Sequence, residues 1–83
     1  MPDRSAKALK TARDLQRSFG NAIRDARKTQ GLTQEQLAER AGLSLNYVGN
    51  LERGEKMASL ETVVRVAEAM HMSGAELLRA AGI

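Results

Sequence analysis

Between Ser18 and Ile83 the chain repeats one pattern five times: a small polar residue, then apolar positions three and four apart, then a glycine or a polar break. Spacing of three and four sets those side chains on one side of an α-helix, so the pattern predicts five short amphipathic helices. Ser18 opens the first, with Phe19, Ile23 and Ala26 inward and Gly31 past its end. Thr33-Gln-Glu-Gln36 is a capping box, in which the hydroxyl and the residue three positions on satisfy each other's backbone N–H groups. Leu37, Ala38 and Ala41 follow it, and Gly42 closes the helix. Ser44 opens the third, with Val48 and Leu51 inward and Gly54 as its stop. After a loop at 55–58, Ser59 opens a fourth carrying Leu60, Val63, Val64, Ala67 and Met70. A second capping box, Ser73-Gly-Ala-Glu76, opens the fifth through Leu77 and Leu78. Nothing alternates with period two, so no strand is expected. The predicted fold is all-α, a compact five-helix bundle over residues 18–83.

Upstream, Leu9, Ala12 and Leu15 continue the spacing into Phe19 and Ile23, so residues 5–17 can form a helix running into the first one. Gly20 weakens that junction by ~1 kcal/mol relative to alanine, and the alanine-rich face buries little. Residues 1–17 therefore read as a basic N-terminal extension, either a packed helix or an arm.

Composition narrows the function classes. Hydrophobic residues make up 42% of the 83, but thirteen of them are alanine and only Phe19 and Tyr47 are aromatic, which suits short helices packed closely. There is room for one core and no second domain. The absence of cysteine excludes a disulfide framework, a thiolate zinc site and a cysteine nucleophile. His71 is the single histidine, expected at the end of the fourth helix, and one histidine cannot build a multi-histidine metal site. Placed at a helix end, it is not expected to take part in a Ser-His-Asp triad. Glu35 and Glu39 share a helix face without companion ligands and read as solvated, while Met70 and Met72 read as core filler. No catalytic residue, metal, cofactor or small-molecule ligand is expected.

No apolar run approaches the ~20 residues of a membrane span, and the start lacks the apolar stretch of a secretory signal. The expected setting is the cytoplasm. Thirteen Lys and Arg against ten Asp and Glu give a net charge of +3. Residues 1–18 hold the whole excess, with Arg4, Lys7, Lys10, Arg13 and Arg17 against Asp3 and Asp14. A modest basic excess suits a polyanionic partner.

The informative segment runs from Thr33 to Gly54, TQEQLAERAGLSLNYVGNLERG. Its two helices of about eight residues are separated by Gly42-Leu43-Ser44, too tight a turn for antiparallel packing. The helices must cross steeply, and Ala38, Leu43, Val48 and Leu51 are the small and apolar residues such a crossing buries. This is a helix-turn-helix pattern. In that arrangement the first helix braces across a phosphate backbone while the second offers its N-terminal, solvent-facing side chains to the major groove.

The segment resembles the phage-repressor-like helix-turn-helix family, also called the xenobiotic-response-element family, and the controller proteins of restriction-modification systems. The likeness covers about residues 19–78. Its marks are Ile23-Arg24 and Arg27, Gly31-Leu32-Thr33-Gln34-Glu35, Leu37-Ala38, Ala41-Gly42-Leu43-Ser44, Tyr47-Val48, Leu51-Glu52-Arg53-Gly54 and Ser59-Leu60-Glu61-Thr62. The resemblance implies a lambda-repressor-like bundle in which residues 18–83 are a DNA-binding domain and the helix over 44–53 reads bases.

On that likeness Ser44, Leu45, Asn46 and Asn50 hold the base-reading positions. A carboxamide can pair bidentately with adenine, and Leu45 can meet a thymine methyl, so partly A/T-rich half-sites are expected. Gln34, Tyr47, Arg53 and Lys56 are implied phosphate contacts, which supply affinity rather than sequence choice. For Tyr47 a half-buried ring capping the core stands beside that reading. Arg27 and Glu52 are implied to pair between the first and third helices, leaving guanidinium donors near a phosphate.

Gly49 departs from the family pattern, in which a side chain stands there, and Ala58 stands where proline is common. The expected function is sequence-specific binding of double-stranded DNA by a transcriptional regulator of repressor type. Leu77, Leu78 and Ile83 exceed what one small bundle needs to bury, so a homodimer through the C-terminal helix and a palindromic operator are expected. The alternative is an antitoxin or adaptor acting through protein contacts, although an antitoxin would carry a disordered toxin-binding tail and none follows Ile83.

Overall fold

The computed structural model describes residues 11–83, which form five helices: α1 (Ala12–Thr29), α2 (Gln34–Ala41), α3 (Leu45–Glu52), α4 (Leu60–Ala69) and α5 (Gly74–Ala80). Among the described residues there is no strand. Four of the starts are those predicted, because their signal is local. Thr33, Ser44, Ser59 and Ser73 each accept the backbone N–H three residues on, and Gln36 and Glu76 close the two capping boxes.

The first start differs. Ser18 lies inside α1, and the cap is Thr11, whose Oγ1 accepts Asp14 N–H at 3.0 Å while Asp14 Oδ2 accepts Thr11 N–H at 3.3 Å. One helix therefore crosses the boundary expected between residues 17 and 18. Leu9 and the cations Arg4, Lys7 and Lys10 lie outside the described residues.

Gly20 accounts for the continuity. A Cβ at this position would clash with the Leu51 carbonyl oxygen and sit 2.8 Å from that of Glu52. The glycine is where the α1 backbone meets the C-terminal turn of α3, so it permits a close approach and does not mark a joint.

The core gathers one stripe from every helix: Phe19 and Ile23 of α1, Leu37 of α2, Val48 and Leu51 of α3, Val66 and Met70 at α4, and Leu77 of α5. α1 packs on α3 and α5, α2 on α3 and α4, and α4 on α5. Between α2 and α3, Gly42 takes the left-handed conformation at φ 71° and Leu43 N–H reaches back to the Ala38 carbonyl at 2.9 Å. That closure turns the chain sharply enough for α3 to cross α2 with Leu43 tucked against the core. Gln30 Nε2 donates to the Met70 carbonyl at 2.6 Å and joins the end of α1 to the end of α4. His71 follows as an exposed residue at φ 59°.

Two apolar assignments change. In α4 the buried stripe is Val63, Val66, Ala67 and Met70, whereas Leu60 is 77% and Val64 40% exposed. Leu77, expected to face a partner subunit, is fully buried in its own chain, and Leu78 is half-buried. Five helices around an alanine-rich interior need a large side chain from α5 to fill the centre.

The Gly20 contact makes a prediction opposite in sign to helix propensity. Alanine favours a helix interior by ~1 kcal/mol over glycine, yet an added Cβ here meets backbone, and overpacking costs roughly 1–3 kcal/mol. Gly20→Ala should lower the melting midpoint, by ~4–8 °C for each kcal/mol lost in a domain of this size. A midpoint equal to or above that of the parent protein would contradict the close approach.

Candidate nucleic-acid interface

The outward side of α3 is a stripe of Asn46, Gly49, Asn50 and Arg53, spaced three and four apart, with Leu45 beside it at 46% exposure. Asn46 is exposed and Asn50 half-buried. Ser44 is exposed, and its oxygen is the cap of α3, accepting Tyr47 N–H at 3.0 Å. Tyr47 is half-buried, with its ring against the core. Lys56 is exposed in the loop between α3 and α4.

The inward side of α3 is fixed by one carboxylate. Glu52 has a side chain 1% exposed, and the Arg27 guanidinium of α1 grips it with two bonds, Nε to Oε2 at 2.7 Å and Nη2 to Oε1 at 3.0 Å. Paired, charge-assisted bonds of this geometry fix orientation as well as adding energy. Gln34, at the start of α2, donates Nε2 to Glu52 Oε1 at 2.9 Å. Arg24 stands 3.7 Å from the same oxygen and sends Nη2 to the Glu52 backbone carbonyl at 3.4 Å.

Three helices thus converge on one side chain. Burial alone would raise the Glu52 pKa, but the hydrogen bonds from Arg27 and Gln34 and the charges of Arg27 and Arg24 prevail and hold it below the ordinary carboxylate range.

This arrangement shows what else two of the expected phosphate contacts hold. Arg27 spends three of its five N–H donors inside the domain, two on Glu52 and one from Nη1 to the Leu32 carbonyl at 2.9 Å, and its side chain is only 11% exposed, which turns it towards the junction more than towards a phosphate. The Gln34 amide nitrogen is likewise committed to Glu52. Two further cations, one from the N-terminal charge excess and one from the family marks, lie on the outer side. Arg17 and Arg24, with Asn21 between them, line an open cleft shared with Arg53 and Glu55. They stand seven apart on one face of α1, a spacing visible in the sequence once α1 is known to start at Ala12 and not at Ser18.

What the face offers is carboxamide hydrogen-bonding groups and positive charge side by side. Among the described residues there is no group of three or more side chains suited to hold a metal ion, and no helix long and apolar enough to cross a membrane.

The signature of the helix-turn-helix family matches residues 23–77. The chain belongs to that family. Its α2 and α3 are the two helices of the motif. Among relatives in this family, the control protein C.SmaI of Serratia marcescens is 36% identical over 70 residues, spanning 84% of this chain and 83% of its own. The crystal structure of the restriction-modification controller protein C.AhdI from Aeromonas hydrophila superposes with a TM-score of 0.73 at 39% identity, covering 75% of this chain and 94% of that one. The clp gene regulator ClgR from Corynebacterium glutamicum gives a TM-score of 0.79 at 37% identity, covering 82% and 72%. The all-α helix-turn-helix fold is shared with these structures.

The Glu52 junction predicts a pH effect. A carboxylate whose folded pKa lies below the unfolded value of about 4.3 adds stability that is complete above that value and is lost as pH falls through the folded pKa. The melting midpoint should therefore decline on acidification below about pH 5, and Glu52→Gln should decline less. Glu52→Ala, which leaves Arg27 buried without its partner, should cost about 3–5 kcal/mol at neutral pH. An unchanged midpoint in Glu52→Ala would reduce the pair to a surface contact.

Proposed function

We propose that this protein is a sequence-specific, double-stranded DNA-binding transcriptional regulator of repressor type, working in the cytoplasm as a homodimer on a palindromic operator. The observation that carries the reading is the contrast between the two sides of α3. Its inner side is bound to α1 and α2 through Glu52, and its outer side presents Ser44, Leu45, Asn46 and Asn50 to solvent. A short helix held rigidly, with polar side chains open along one edge, is what entry into a major groove requires. Similarity to transcriptional regulators and restriction-modification controllers supports the same reading.

Asn46 is the side chain best suited to adenine, and Leu45 meets a thymine methyl. Arg53 on the reading side, with Arg17 and Arg24 of α1, supplies positive charge for the flanking backbone, and Lys56 adds a further exposed charge in the loop after α3. Tyr47 adds its hydroxyl at the rim. Gln34 contributes through the backbone N–H groups at the start of α2, since its side chain is held by Glu52. The reading includes no catalytic step.

For the homodimer, the large apolar side chains left exposed besides Leu45 of α3 are Met57, Leu60, Val64 and Ile83, from α4, the loop before it and the segment after α5. Val64 lies beside Gly74 at the start of α5. A second copy covering this side would shield them and set two copies of α3 on half-sites roughly 34 Å apart, or at another spacing fixed by the dimer.

Selection from random duplexes followed by sequencing tests the reading, and a palindromic consensus is expected. On the selected site Asn46→Ala should lose ~1–3 kcal/mol while binding random DNA as before. Lys56→Ala should weaken both about equally. Failure to enrich any sequence would overturn the reading in favour of a protein-contact role such as an antitoxin or adaptor. Leu60→Glu should shift the light-scattering mass from two chains towards one. A single-chain mass for the parent protein, free and on its selected site, would refute the dimer.

A further inference from the structure

Gly49 occupies the middle of the helix that faces the proposed groove, where glycine is the poorest choice apart from proline. What fills the space above it is the Arg53 guanidinium. A Cβ at 49 would stand 3.0 Å from Arg53 Nη1 and 3.7 Å from Cζ and Nη2. The arginine leans back along α3 towards its N-terminus, as long side chains on helices do. Two further contacts hold it there. Nη2 donates to Asn50 Oδ1 at 2.8 Å, and Nε pairs with Glu55 Oε1 at 3.1 Å. Nη1, over the glycine, makes no hydrogen bond among the described residues.

A guanidinium only donates, so the Asn50 amide must turn its carbonyl towards Arg53 and its NH2 away. That orientation changes what Asn50 can read. Pairing with adenine needs the carboxamide to donate to N7 and accept from N6, and here the accepting oxygen would have to be shared with a cationic donor. What the two side chains offer together is donors, Asn50 Nδ2 and Arg53 Nη1. Guanine is the base whose major-groove edge carries two adjacent acceptors, N7 and O6.

We propose that Asn50 and Arg53 act as one unit that reads guanine, and that Gly49 is the seat that keeps the unit assembled, so that Gly49 and Arg53 both determine sequence preference. This rests on the reading that α3 enters the major groove. It moves Arg53 from a backbone contact to a base contact and makes the glycine, which touches nothing in the groove itself, a specificity residue.

The test is selection from random duplexes with the parent protein and with Asn50→Ala, Gly49→Ala and Arg53→Lys. The parent consensus should contain one base pair whose preference Asn50→Ala abolishes, and that pair should be G·C. Gly49→Ala and Arg53→Lys should each lower the preference for guanine over adenine there by roughly 10-fold. Arg53→Lys keeps the charge and loses the fork. Gly49→Ala should also raise the melting midpoint by several degrees, because alanine restores helix propensity and its Cβ meets only the movable tip of a side chain. Loss of discrimination in a more stable protein is something damage to the fold cannot produce. Replacing the guanine with 7-deazaguanine should weaken the parent protein and leave Asn50→Ala unaffected.

An A·T pair at the Asn50-dependent position would overturn the unit while leaving groove reading intact. So would an unchanged guanine preference in both Gly49→Ala and Arg53→Lys, or an Asn50→Ala variant that alters no position. A parent protein that enriches no sequence would instead overturn the DNA-reading function itself, and this inference with it.

Discussion

The structure depends on a carboxylate in the wrong place for a carboxylate. Glu52 sits at the end of α3 with its side chain out of solvent, which only a complete set of donors makes tolerable. Arg27 comes from α1, Gln34 from α2, and Arg24 adds charge and a bond to the backbone of the same residue. An eight-residue helix has little intrinsic stability and no orientation of its own. Gripped at its C-terminal end and pinned by Val48 and Leu51, α3 gains both from its neighbours. The Gly20 approach belongs to the same junction, because α1 must come close enough for Arg27 and Arg24 to reach past the α3 backbone.

Much of this was legible in the sequence, and the rest failed for identifiable reasons. Caps at Thr33, Ser44, Ser59 and Ser73 are local chemistry within four residues, and they were placed correctly. Thr11 was passed over because its box closes on Asp14, a shorter acid than the usual Glu or Gln, while Ser18 lay nearer the first aromatic residue. In α4, six apolar residues (Leu60, Val63, Val64, Val66, Ala67 and Ala69) supply more than one stripe, and periodicity cannot decide which of them the neighbouring helices will cover. The contact between residues 27 and 52 spans 25 positions, so only likeness to a family suggested it. Arg17 and Arg24 stand apart in the sequence, one in the N-terminal charge excess and one among the family marks, and only a continuous α1 puts them on one face seven residues apart.

The two helical glycines show why composition cannot settle such questions. Gly20 and Gly49 have the same unfavourable propensity and both are buried. At Gly20 the neighbour is backbone carbonyl, fixed by two helices at once. At Gly49 it is the end of an arginine side chain, which can move at little cost in folding energy but not without moving its donors. The first glycine serves the fold and the second serves what the fold presents. A propensity scale assigns them equal value.

Charge follows the same logic. Residues 19–83 carry eight cations and eight anions, a neutral domain by count. Three of those anions, however, are engaged away from the outer side of α3. Glu52 is buried under Arg27, Glu76 closes a cap and is held below its usual pKa by hydrogen bonds from Ser73, and Glu61 pairs with Arg65 at 2.8 Å. Glu39 and Glu68 line a different hollow with Arg40 and Arg65. Arg24 and Arg53, joined by Arg17 from just upstream, line a cleft beside α3 in which the one exposed anion, Glu55, pairs with Arg53. A polyanion responds to the local field and not to the sum. In a domain neutral by count, Arg17, Arg24 and Arg53 gathered beside α3 give positive charge a place that the sum does not show, and charge of that kind adds affinity for a phosphate backbone without choosing a sequence.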